Sequence, residues 1–121
     1  MFVIGLLAQC ATDRTIDMPT GVFREKVSGD AVELRIVARA SQNAIARQSP
    51  AMMRTTSCRA ARDMLHAELQ NGFYVQASEN FASTAINLYQ GGKFCEIVGQ
   101  YNPAGLGPDL KSRAINLDQI R

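Results

Sequence analysis

The stretch Ala31-Val32-Glu33-Leu34-Arg35-Ile36-Val37-Ala38-Arg39-Ala40 decides the fold. Val32, Leu34, Ile36 and Ala38 fall on one side of an extended chain, and Glu33, Arg35 and Arg39 fall on the other. Side chains alternate across a strand with a period of two, so this is a strand in a sheet with one buried and one wet face. Just before it, Ser28-Gly29-Asp30 reads as a turn, because glycine reaches positive φ and aspartate bonds its own backbone. Val22 to Val27 precedes that turn, so 22–27 and 31–40 form a β-hairpin.

Downstream, Ser41-Gln42-Asn43 breaks the alternation, and Ser49-Pro50 opens the main helix. Serine caps a helix N-terminus well, and proline is favoured at the first helical position. The helix is expected to reach about Gln70 and to stop at Asn71-Gly72. At about 100° per residue, Met53, Ser57, Ala60, Ala61, Met64 and Leu65 share one face, with Cys58 at its edge. Arg59, Arg62, Asp63, His66 and Gln70 share the other. Small residues on the apolar face let the helix lie close to a sheet. Glu68 falls near the middle of that face and needs a partner there.

Phe73 to Ala77 is a strand candidate, and Asn80-Phe81 reads as loop. Ser83 to Tyr89 and Phe94 to Tyr101 form a second hairpin around the turn Gln90-Gly91-Gly92-Lys93, with Cys95, Ile97 and Tyr101 on one side. A short helix is expected over 109–115. Together these segments predict an α+β fold: an antiparallel sheet of about four to five strands with one long amphipathic helix packed on one face. The organisation is a signal-peptide remnant or N-terminal strand over 1–10, a linker over 11–20 and a single α+β domain over 21–121.

With 46% hydrophobic and 20% charged residues, the chain has the composition of a folded domain, not a disordered one. The net charge of +2, with cations spread along the chain, argues against a dedicated nucleic-acid binder. No run approaches the roughly 20 apolar residues that cross a bilayer as a helix. His66 sits beside Arg62 on the polar helix face and reads as a surface histidine, not a catalytic base. Glu25 and Glu33 approach each other across the first hairpin, where cross-strand ion pairing is the expected role. Gln90-Gly91-Gly92-Lys93 lacks the spacing of a phosphate loop. No catalytic residue, metal site or cofactor is predicted; a small enzyme would need a pocket holding a carboxylate of raised pKa.

The three cysteines are Cys10, Cys58 and Cys95, too widely spaced for a zinc site. Cys58 on the helix and Cys95 on the inward side of the last strand come within disulfide range if the helix packs on that strand. They are then either one bridge or two separate buried thiols. The start, Met1-Phe2-Val3-Ile4-Gly5-Leu6-Leu7-Ala8-Gln9-Cys10, is apolar and gives way at once to the polar Ala11-Thr12-Asp13-Arg14-Thr15. Leu7-Ala8-Gln9-Cys10 resembles the lipobox that closes a bacterial lipoprotein signal peptide, which implies acylation of Cys10 and a membrane anchor. The alternative is a strand over 2–8 with Cys10 incidental.

Ile36-Val37-Ala38-Arg39-Ala40-Ser41, followed by Cys58-Arg59-Ala60-Ala61-Arg62-Asp63-Met64-Leu65-His66-Ala67-Glu68-Leu69, resembles the LPP20-like family of bacterial envelope lipoproteins. The likeness covers about half the chain. It implies an α+β fold and an address in the cell envelope, at the periplasm or outer membrane, and it transfers no catalytic residue. The expectation is a non-enzymatic binding or structural module whose partners are the membrane, through Cys10, and other envelope proteins. The alternative is a subunit of a larger envelope assembly, such as a flagellar motor, without a lipid anchor.

Overall fold

The period-two pattern and the turn at Gly29 produce β1 (Gly21–Ser28) and β2 (Ala31–Arg39), paired antiparallel. The computed structural model describes residues 18–71 and 80–117. Two further strands, β3 (Phe81–Tyr89) and β4 (Phe94–Tyr101), complete a four-stranded sheet in the order β1-β2-β4-β3, every neighbouring pair antiparallel. The second strand of each hairpin is therefore central. The strand candidate at Phe73 to Ala77 lies outside the described residues. Asn80-Phe81 is not all loop: Phe81 already pairs with Tyr101 and opens β3.

Among the described residues, the α-helices α1 (Gln42–Ala46), α2 (Pro50–Asn71) and α3 (Pro108–Ser112) accompany the sheet, and a short 3-10 turn spans Gln90–Gly92. The break at Ser41 is the cap of α1, where its Oγ accepts from the Ala44 amide at 3.1 Å. The start of α2 follows from Ser49, whose Oγ accepts from the Met52 amide at 3.2 Å.

α2 lies across the two central strands. Its Cys58, Ala61, Leu65 and Leu69, spaced three and four residues apart, meet Leu34, Ile36 and Ala38 of β2 and Cys95 and Ile97 of β4. Cys58 is central to this core at 3% exposure, not at its edge, while Met53, Ala60 and Met64 are half-buried. Ala61 is fully buried and lets the helix approach the sheet. Two glycines permit close contacts. A Cβ on Gly92, whose φ is +100°, would lie 3.0 Å from the Arg54 amide nitrogen of α2. One on Gly99 would strike the Phe81 ring and come within 2.5 Å of the Ala82 carbonyl oxygen.

The face of the sheet turned from α2 is not uniformly wet. Val37 and Phe94 project there by strand parity, and both are fully buried. The tail returns along β3, where the Ile115 amide donates to the Ser83 carbonyl at 2.8 Å.

Candidate functional site

Cys58 and Cys95 are joined in a disulfide, with their Cα atoms 5.0 Å apart. The bond ties α2 to a central strand inside the core, where the two residues are 3% and 0% exposed. Of the two sequence readings, the bridge is the one realised. The level of α2 on the sheet makes this possible. Ser57, one residue before Cys58, donates from its Oγ to the Gly92 carbonyl at 2.8 Å, and the Ala40 amide donates to Lys93 at 2.7 Å. The first bond draws the 90–93 turn against the start of the helix, the second ties it to the end of β2, and together they bring β4 level with Cys58. Cys10 lies outside the described residues.

The sheet face opposite α2 carries a dense polar cluster. Glu96 of β4 is only 6% exposed. Its Oε1 accepts from Asn87 Nδ2 and from the Tyr89 hydroxyl, each at 2.9 Å, and its Oε2 accepts from Arg35 Nη1 at 3.1 Å. Register explains the convergence: Asn87 stands directly opposite Glu96, and Arg35 stands opposite Val98, one diagonal away. The Arg35 guanidinium also lies over the Phe23 ring, 4.6 Å from its centroid. Burial pushes the Glu96 pKa up, but the donors Asn87, Tyr89 and Arg35 and the guanidinium charge outweigh it, so the carboxyl lies below its ordinary value. The Tyr89 hydroxyl is held above its ordinary value, chiefly by donating to that carboxylate.

A carboxylate saturated by three donors stays ionised at neutral pH and has little basicity to offer. The arrangement fixes β3, β4 and β2 to one another; among the described residues it contains no serine or cysteine nucleophile. Sequence reasoning missed Glu96, because alternation along β4 alone places it on the wet side. The signal was the second hairpin's register, which sets Asn87 opposite Glu96.

Two shallow hollows flank the sheet. One, of about 170 Å³, is lined by Phe23, Arg24, Glu25, Glu33 and Arg35. Glu25 and Glu33 stand directly opposite each other there, and neither makes an ion pair with a described residue. The expected cross-strand pairing of these carboxylates with cations is thus absent, because the register opposes two like charges. The other hollow, of about 210 Å³, lies between the end of α2, β3 and the tail, and is walled mainly by Leu65, Leu69, Phe81, Ile115 and Leu117. His66 and Ser83 also line it, and no hydrogen bond joins them among the described residues. Glu68 finds the partner its position demands. Arg24 of β1 stands opposite Leu34 on the α2 side of the sheet, and its Nε donates to Glu68 Oε2 at 2.9 Å. No group of three or more His, Cys, Asp or Glu suited to a metal occurs among the described residues. No described helix is long and apolar enough to cross a membrane.

No protein family, curated protein or solved structure matches this chain.

Proposed function

We propose that this protein is an exported bacterial cell-envelope module, held at a membrane through acylated Cys10, that works by binding or by structural support and not by catalysis. The observation that carries this reading is the buried Cys58–Cys95 disulfide. Disulfides persist in oxidising compartments such as the periplasm and are rare in a reducing cytosol. The lipobox-like Leu7-Ala8-Gln9-Cys10 and the likeness to LPP20-like lipoproteins support the same address. In this reading the three cysteines divide their work, one carrying the anchor and two closing the staple.

The test is metabolic labelling with an alkyne-bearing fatty acid in a bacterial host expressing the chain. Label on the wild-type protein, lost in Cys10→Ser together with recovery in the membrane fraction, is the expected result. An unlabelled wild-type protein in the soluble fraction would overturn the anchor.

A further inference from the structure

Charge is distributed unevenly along the molecule. No aspartate or glutamate occurs from residue 34 to residue 62, or from 80 to 95. The fold brings the ends of those segments together: Arg39 stands opposite Phe94 in the sheet, the Ala40 amide bonds Lys93, and Gly92 lies against the Arg54 backbone. Arg47 follows α1 directly into the start of α2 at the same pole. Arg39, Arg47 and Arg54 are exposed and Lys93 is half-buried. Glu25, Asp30, Glu33 and Glu68 lie toward the other end, near the tip of the first hairpin and the end of α2.

Two further features mark the basic pole. Leu88 and Tyr89, at 44% and 36% exposure, are among the exposed large hydrophobic residues of the described chain, and both adjoin the 90–93 turn. The chain also enters the sheet there, since Gly21 at the start of β1 pairs with Val37, two residues short of Arg39. Cys10 precedes Gly21 by eleven residues (21 minus 10), so it lies within about 40 Å of this pole even when the chain is fully stretched.

We propose that this pole docks on a membrane surface bearing anionic phospholipid headgroups, seating the domain on the bilayer that holds its anchor. The proposal rests on the anchored reading above. Arg47 and Arg54 answer the headgroup charge, and the exposed Leu88 side chain and Tyr89 ring suit the interfacial zone. A nucleic acid would use the cations but not Leu88.

The test uses the full chain with Cys10→Ser, so that no lipid contributes, in co-sedimentation with vesicles. Binding to phosphatidylglycerol-containing vesicles, weak binding to pure phosphatidylcholine and release by salt are expected. Arg47→Gln with Arg54→Gln should reduce partitioning roughly twenty-five-fold, at about fivefold per charge. Lys26→Gln with Lys111→Gln removes the same charge from the other end and should reduce it much less. Equal binding to both vesicle types, equal effects of the two double variants, or tighter binding to duplex DNA would each overturn the docking surface. The anchor is read separately: a labelled Cys10 without charge-selective binding removes this inference alone, and charge-selective binding with an unlabelled Cys10 removes the anchor alone.

Discussion

Glu96 shows how much one residue's role depends on its neighbours. The carboxylate is buried, yet its pKa lies below the ordinary value, because three donors and the Arg35 charge together outweigh desolvation. The folded state therefore binds this proton less tightly than the unfolded chain does. As pH falls below the ordinary carboxylate range, the unfolded state takes up the proton first, and the stability contributed by Glu96 is lost as pH drops through the folded value. Glu96→Gln should cost about 1–2 kcal/mol at neutral pH, since Arg35 is 43% exposed and rehydrates when released. The gap to wild type should narrow at a pH below the ordinary carboxylate range. Urea unfolding at the two pH values checks this, and a gap of constant size would contradict it. None of this was legible along β4 alone, where Glu96 alternates with Cys95 and Ile97 as an outward residue would. Its donors Asn87 and Tyr89 stand on the neighbouring strand, a contact that only the hairpin register reveals.

Among elements, those with long periodic patterns were readable. β2, β4 and α2 each repeat their apolar spacing over enough residues to declare a face, but the buried stripe of α2 centres on Cys58, Ala61, Leu65 and Leu69, and Val37 and Phe94 are buried on the opposite face of the sheet. The five residues of α1 are too few to show a helical period, and Ser41, which reads in the sequence as a break in the strand, is its cap. The disulfide stood between two alternatives because it depends on how far along β4 the helix sits. That level is set by contacts remote in sequence, Ser57 to Gly92 and Ala40 to Lys93. Once formed, the bond closes a long loop, with a sequence separation of 37. Chain entropy then assigns it roughly 4 kcal/mol through the unfolded state. The Cys58→Ala, Cys95→Ala double variant should lose about 3–4 kcal/mol in denaturant unfolding. A loss under about 1 kcal/mol would show that the core holds α2 in place without it.

At the scale of the whole molecule, one helix packs on one face of a four-stranded sheet, with the chain entering at a pole rich in cations. The fold class was legible because α+β architecture follows from which segments alternate and which repeat at helical spacing. The function was less legible: the described residues hold a saturated polar cluster and shallow hollows, while the segment carrying Cys10 lies outside them. What links structure to setting is the redox state of two buried cysteines. The most direct measurement is acid-quenched, differential alkylation of Cys58 and Cys95 in intact cells, read by mass spectrometry. Export predicts that both resist the first alkylating agent and react with the second only after reduction. Two thiols alkylated at the first step, before any reductant, would place the protein in a reducing compartment and contradict the account.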